Sequence, residues 1–595
     1  MTAPAGTRAS RARLLGETVV IDDVGPGRRS RAYPSGGFAS LLLTPVALLL
    51  GGILLWPVAR TVQASVTGPD GRWVALANFR TALVAEGTWE VLGRTVLWAA
   101  VVPVVVIVLG YLLAVSRRTG TLLLAPMALP LVATGVMFRL FYDPDPARGT
   151  GSRVLTAIAG LFGVPADSAP AWLGPDLITV ALMSAFVWAW IGLPVVVFRA
   201  ALNALPADLA DAVRTNGGGR LEVFRDALWR PLLRRTAAIV FALVALGTAR
   251  AFDLILVMTP GSSLDEAATL AVRVWQTSGN ATTGPAAALN TLWLVALGVG
   301  ILVAAVGGRQ AWPPPVPAPM PVSPPADRSR WTAARRALPA TLMVLIWALP
   351  VLALVATSLH SPQDAATKGW TAASLRLSSY ADVLAQDDLI HALWFTGILA
   401  VSVTVLVVAL ALPAGYALAR LRPPGTAAAG VLLVVASAVP VQVVAGPVNE
   451  VLELVGLAGT SFGLGLVHVA LGAPFAVLVL RNALADVPGA RVREARIAGR
   501  REWGVLWRTV PHAVPAIIAV AVLEFIQVWN DFVVGLMFGG AGTPLGLLLF
   551  PQTRQFVSNS GTLAAFALLA SVPPLVVIVL ARRQVITGLV SGAVR

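Results

Sequence analysis

The sequence predicts an all-α polytopic membrane protein, with twelve transmembrane helices arranged as two tandem six-helix units. Three observations carry that expectation. The chain is 57% hydrophobic with a mean hydropathy of +0.79, well above the range of soluble domains. Apolar segments long enough to cross about 30 Å of hydrocarbon recur along its length. A glycine-centred helical stretch in the first half also returns in the second, the mark of an internal repeat.

In chain order, residues 1–36 are polar and Arg-rich and read as a cytoplasmic tail without a cleavable leader. Spans are then expected at roughly 38–58, 95–115, 122–140, 177–198, 237–258, 286–306, 338–359, 394–416, 428–448, 462–480, 513–534 and 563–581. An even number puts both termini on one side. Arginine placement says which side, because basic residues are retained in cytoplasmic loops. With the N-terminus inside, cytoplasmic segments hold 32 of the 44 basic residues and 11 of the 29 acids, whereas external loops hold 10 and 15. A formal charge of +15 would suggest nucleic acid in a soluble chain. Here its placement makes it a topology signal against the lipid bilayer, and no nucleic-acid partner is expected.

The repeated stretch runs from Leu205 to Pro231 and again from Val487 to Pro511. In the first copy Leu205, Leu209 and Val213 fall at i, i+4, i+8, and Leu221, Phe224 and Leu228 at i, i+3, i+7. In the second copy Trp503, Leu506 and Val510 repeat that pattern, which is helical. Gly217 and Gly499 occupy the turn, where glycine supplies the left-handed backbone that closes a helix. Each unit therefore reads as helix, glycine turn and short second helix, the last stopping at Pro231 or Pro511. The tyrosine offset between halves, Tyr111 to Tyr416, exceeds the glycine offset by 23 residues. The external loop 141–176 is longer than its counterpart 449–461 by that same amount. The domains are thus a first unit at 37–306 with its cytoplasmic loop at 199–235, and a second at 338–595 with its loop at 481–511. Between them, 307–337 contains PPPVPAPMPVSPP, which favours extended polyproline II and suits a semi-rigid tether.

Catalytic chemistry is not legible in this chain. It has no cysteine, four scattered histidines, and one lysine, Lys368, which is followed by Gly369 rather than Ser or Thr. A phosphate-cradling loop needs Gly-Lys-Ser/Thr, so the chain is expected to be no enzyme and to bind no metal or cofactor. Polar groups inside spans are the candidates for handling a solute, because an unpaired one is costly in hydrocarbon. Glu524, Gln527 and Asp531 fall at i, i+3, i+7 and would share a helix face, with Asn530 beside them. Arg250 and Asp253 are spaced to form an ion pair within a helix. Trp188, Trp190 and Trp529 offer flat apolar faces of the kind that stack on sugar rings. Interhelical hydrogen bonding that glues the halves together is the competing reading for these polar groups.

The repeated unit resembles the coupling loop of ABC importer permeases, whose pattern is roughly E-A-A-x-x-D-G-A. Asp211, Ala212 and Val213 stand at E-A-A in the first copy, with Asn216 and Gly217 at D-G. Aligning on Gly499 puts Arg493, Glu494 and Ala495 at E-A-A in the second, so the leading acid is lost there. FDLILVMTPGS at 252–262, the Trp529-Asn530-Asp531-Phe532 run and the ending TGLVSGAVR at 587–595 are similar to segments of maltose-type carbohydrate permeases. The resemblance implies the MetI-like permease fold, with both members of a permease pair in one chain and alternating access in the cytoplasmic membrane. It also implies two copies of an ABC ATPase subunit that carry the ATP and Mg, and an extracytoplasmic solute-binding protein. ATPase coupling would fall to Asp211, Ala212, Asn216, Gly217, Arg493, Glu494, Ala495 and Gly499. The solute path would fall to Arg250, Asp253, Glu524, Gln527, Trp529, Asn530 and Asp531.

Two rival architectures remain. Fused permeases for ferric iron or thiamine share the layout but not the GAVR ending. A 6+6 secondary carrier would place its basic run between spans two and three, where this chain has only SRRTG, its largest basic loops following spans four and ten. The chain's lack of cysteine makes topology directly testable. A cysteine at Gly160 should react with an impermeant label from outside, and one at Asn216 only after permeabilisation; the opposite pattern would invert the orientation.

Overall fold

The computed structural model describes residues 35–115, 125–161, 163, 170–203, 207–277, 283–308, 330–372, 375–540, 542–553 and 559–593. The tail at 1–36, most of the tether at 307–337 and the Arg117-Arg118 loop lie largely or wholly outside them. Every extended element among the described residues is helical, with one isolated antiparallel bridge joining Thr67 and Trp73.

The first unit contains α1 (Gly37–Val66), α2 (Thr88–Val115), α3 (Leu131–Phe141), α4 (Ile178–Trp190), α5 (Gly192–Asn203), α6 (Ala207–Thr215), α7 (Arg234–Ala249), α8 (Asp253–Met258) and α9 (Gly284–Gly308). The second contains α10 (Arg330–Ser358), α11 (Asp387–Tyr416), α12 (Thr426–Ala438), α13 (Val441–Leu454), α14 (Ser461–Asp486), α15 (Gly489–Ile497), α16 (Glu502–Trp529), α17 (Val533–Phe538) and α18 (Ser560–Ala593). Among the described residues seven helices are long and apolar enough to cross a membrane, or nine when each bent pair counts as one span. The bent pairs are α4 with α5, at 44°, and α12 with α13, at 100°. The three other expected positions carry shorter apolar helices: Leu131–Phe141, Thr236–Ala249 and Val344–Ser358. Length alone therefore does not reach the expected count of twelve.

Proline sets several of these breaks. Pro440 begins α13 and Pro130 begins α3, each at an extended backbone conformation that a helix cannot run through. The expected stops at Pro231 and Pro511 do not occur. Pro231 lies within a π-helical stretch, Val223–Leu233, and Pro511 lies inside α16. In both copies the second helix of the repeated unit runs straight into a span. A π stretch absorbs one extra residue per turn, and a long membrane helix tolerates the single backbone bond that a proline removes.

The two units are interleaved. In the first, α1 packs on α13 and α11 of the second, where the Thr61 hydroxyl donates to the Val443 carbonyl at 3.1 Å. In the second, α10 packs on α3 of the first. There the Trp188 indole N–H donates to the Trp347 carbonyl at 2.7 Å, and the two rings stack at 5.3 Å. One apolar core runs through both units and includes Trp98, Phe186, Trp293, Phe532 and Phe566. Opposite faces of the long helices expose Val96, Val108, Leu112, Ile398, Val401 and Val405. Apolar surface on that scale is the signature of a lipid-facing shell.

Gly110 and Gly415, each just before a repeat-matched tyrosine, mark close approaches. A Cβ at Gly110 would sit 2.5 Å from the Pro194 side chain, and one at Gly415 would sit 2.9 Å from the Arg481 backbone nitrogen. Overpacking of this kind costs about 1–3 kcal/mol. Gly110→Val and Gly415→Val should each lower the melting temperature of the purified protein, Gly415→Val more, because backbone yields less than a proline ring. Equal melting temperatures for wild type and both variants would refute the close approach.

Candidate functional site

Two sets of residues carry the chemistry: the repeated glycine-closed units and the polar groups where the two halves meet.

In the first repeated unit α6 ends in a Schellman closure. The Gly218 N–H donates to the Val213 carbonyl at 2.9 Å and the Gly217 N–H to Arg214 at 3.0 Å, with Gly217 at φ +82°. In the second, the Arg500 N–H donates to Ala495 at 3.2 Å and the Gly499 N–H to Arg496 at 3.0 Å, with Gly499 at φ +72°. The same motif closes both helices, and only glycine takes that backbone without strain. Asp211 and Ala212 are exposed, and Asn216 is exposed but turned back on the Ala212 carbonyl at 2.9 Å. Arg493 and Glu494 are exposed, whereas Ala495 is buried with Val492 against Val505 and Leu506 at the base of α16. Both units also present apolar side chains outward: Leu209, Leu221 and Trp229 in the first, Ile497, Trp503 and Trp507 in the second.

Sequence reasoning missed the polar joint beside the second unit. The Glu502 carboxylate accepts from Arg496 Nε at 2.9 Å, from Arg496 Nη2 at 3.2 Å and from the Tyr416 hydroxyl at 2.7 Å. Tyr111, the repeat partner of Tyr416, instead sits edge-on to Phe198 and Phe224 at 6.0 and 5.8 Å. The matched tyrosines were the available signal.

At the seam the structure corrects two expectations. The helix expected to carry Arg250 and Asp253 together breaks after Ala249, so Arg250 closes α7 and Asp253 opens α8. No ion pair among the described residues joins the two. Likewise α16 ends at Trp529, so Glu524, Gln527 and Asp531 do not share one helix face. Asp531 caps α17 instead, accepting from the Val534 and Gly535 N–H groups at 3.2 and 2.9 Å, with His468 Nε2 3.7 Å away. The cause in both cases is an apolar sequence that continues across a break, so hydropathy does not register it.

The breaks correspond. Arg250 and Asn530 are the matching C-caps, and Phe252 and Phe532 the matching N-caps of the six-residue helices that follow, their rings 6.2 Å apart. Each cap reaches into the other half. Arg250 Nη1 donates to the Ser437 carbonyl at 3.4 Å, and Asn530 Nδ2 donates to the Ala128 carbonyl at 3.1 Å. Ser437 and Ala128 lie just ahead of the proline-marked breaks before α13 and α3.

The other candidates are placed differently. Glu524 is 1% exposed, and a Cβ at Gly472 of α14 would collide with its carboxylate, so it is wedged between two helices of one unit. Gln527 is exposed. Trp529 is buried, stacked on Phe525 at 5.7 Å, its N–H donating to the Ala570 carbonyl at 2.9 Å. Trp190 is stacked on Phe186 at 5.6 Å. These tryptophans are occupied by packing rather than free to receive a ring.

Residues 411–587 match the family model of the binding-protein-dependent transport system inner membrane component. The osmoprotective compounds uptake permease protein GgtD of Synechocystis is 31% identical over 266 residues, covering 42% of this chain and 89% of that protein. The alpha-glucoside transport system permease protein AglG of Rhizobium meliloti is 30% identical, over 37% of this chain and 60% of its own length. The trehalose transport system permease protein SugB of Mycobacterium tuberculosis is 28% identical, over 43% of this chain and 95% of its own. With these matches, the helical architecture and the paired glycine-closed units, the chain belongs to the membrane-spanning permease components of binding-protein-dependent ABC transport systems.

Proposed function

We propose that this chain carries both permease halves of an ABC importer and moves a sugar or sugar-derived osmolyte inward by alternating access. Each of three relatives covers less than half of this chain, although GgtD and SugB are matched over 89% and 95% of their own lengths. That ratio, with the internal repeat, supports two permeases joined at the Pro-rich tether. The relatives' names concern osmoprotective compounds, alpha-glucosides and trehalose, which favours a polyhydroxylated solute over a metal ion or thiamine. Two copies of an ABC ATPase, holding ATP and Mg, would seat on the repeated units, and an extracytoplasmic binding protein would deliver solute to the external loops. Both termini and both repeated units would then face the cytoplasm across the inner membrane.

One observation carries the mechanism. Each repeated unit is continuous with a helix whose far end is a polar cap on the opposite half. From Glu502 to Trp529, 28 residues span about 40 Å at 1.5 Å per residue. Displacing α15 against an ATPase therefore moves Asn530 relative to Ala128, and the first unit moves Arg250 relative to Ser437 in the same way. The solute would cross beside these caps, where Arg250, Asp253, Asn530 and Asp531 offer donors and acceptors for hydroxyl groups. Outward-facing Leu221 and Ile497, 72% and 86% exposed, are the apolar contacts an ATPase would cover.

The purified chain should not hydrolyse ATP by itself. Reconstituted with its ATPase, it should hydrolyse ATP in response to sugar-loaded binding protein, and hydrolysis by the chain alone would overturn the reading. Gly217→Val and Gly499→Val should each strain the turn by about 1–3 kcal/mol and depress uptake while the amount of chain in the membrane stays constant. Uptake per molecule equal to wild type in both would remove the coupling role.

A further inference from the structure

We propose that Glu502 is a positioning residue that locks the second coupling helix to its transmembrane helix, making the two coupling joints chemically different. The inference rests on the coupling role assigned above. Glu502 is the first residue of α16, Arg496 lies in the last turn of α15 and Tyr416 ends α11. One carboxylate thus ties together the coupling helix, the span it drives and a neighbouring span, across the Gly499 turn. The arginine contact is bidentate, the strongest form of charge-assisted hydrogen bond. The side chains of Arg496 and Glu502 are 35% and 20% exposed, so the pair is partly covered and less screened than a fully exposed surface ion pair.

The residue types at the matching positions of the first unit do not repeat this joint. Registered on the two turn glycines, Arg220 stands where Glu502 does and Arg214 where Arg496 does. Arg214 pairs with Asp211 on its own helix at 2.7 Å, with both side chains mostly exposed. Tyr111 meets aromatic rings instead of a carboxylate. The ion pair of the first coupling helix therefore stays within that helix, whereas that of the second bridges to the next helix as a directional clamp.

The test uses the full chain with its ATPase and binding protein in proteoliposomes. It measures solute imported per ATP hydrolysed, ATPase retained on the chain, and melting temperature. Glu502→Gln should keep the ATPase bound and lower the transport-to-hydrolysis ratio roughly tenfold, the scale of a lost charge-assisted clamp. Glu502→Asp, which keeps the charge, should recover most of that ratio. Arg496→Gln combined with Glu502→Gln should be no worse than Glu502→Gln alone, because the two act as a unit. Tyr416→Phe retains the ring and removes one bond, so a partial loss is expected even where Glu502→Gln yields too little protein. An unchanged ratio in Glu502→Gln, or a lowered melting temperature with an unchanged ratio, would overturn the proposal. If the wild-type chain fails to retain any ATPase, the coupling assignment itself fails, and that result is distinct from either outcome.

Discussion

A helix broken inside hydrocarbon leaves carbonyl groups without partners, and water is not there to take them. That constraint organises the centre of this molecule. The breaks before α3 and α13 are fixed by Pro130 and Pro440, which cannot donate. The carbonyls just ahead of them, at Ala128 and Ser437, are met by Asn530 and Arg250 from the opposite half. Those donors are available only because α16 and α7 break as well, freeing their last residues to point across. Each half therefore completes the other's backbone. A chain with one half removed would leave acceptors and donors exposed to lipid, which is a physical reason for the halves to occur as a pair and for a tether between them to be tolerated.

The same geometry links the repeated units to the seam. Because Pro231 and Pro511 do not end the second helix of the repeated units, no flexible connection intervenes between the Schellman turn and the break. A rigid helix transmits a push at one end as a displacement at the other, and here the displaced end is a hydrogen bond to the other half. Interleaving of α1 and α10 limits which displacements are allowed. Each packs against the opposite unit, so parting the halves would strip both contacts. The 3.4 Å contact from Arg250 is longer than the 3.1 Å contact from Asn530, making the first unit's cap the looser of the two.

Much of this was legible in the sequence, for reasons that can be named. Gly217 and Gly499 stood out because a left-handed closure nearly requires glycine, and both lie at positive φ. Apolar runs located the helical segments because hydrocarbon selects composition over about twenty residues. The ends of those runs were another matter. Ala249 and Trp529 terminate helices in the middle of apolar sequence, so periodicity counted past the break and assigned Asp531 to a face it does not share. Trp529 looked like a ligand platform because residue type says nothing of whether a ring is already stacked. For Glu502 the matched tyrosines were the one signal, since its partners lie 6 and 86 residues away and only the fold joins them.

The departure of the second coupling unit from the family pattern takes on a different meaning in this light. Read as sequence, Arg493 in place of an acid is erosion. In space, the two units pair different acids with the arginine that precedes the turn. In the first unit the acid, Asp211, sits on the outer surface of the coupling helix and pairs with Arg214 one turn on, side chains 71% and 61% exposed. An exposed pair of that kind contributes a few tenths of a kcal/mol at most and is screened by salt. In the second unit the arginine one turn on, Arg496, faces inward to Glu502, and Tyr416 completes the site. The exposed surface of the second unit carries Arg493, Arg500 and Arg501 beside a single acid, Glu494, while the inner joint holds a further carboxylate. The paired acid of the first unit thus lies on an exposed helix face, and that of the second lies at the joint with α16. Under the proposed coupling role, two helices built this way would present unlike faces to two copies of one ATPase, and a symmetric motor would act on an asymmetric pair of levers.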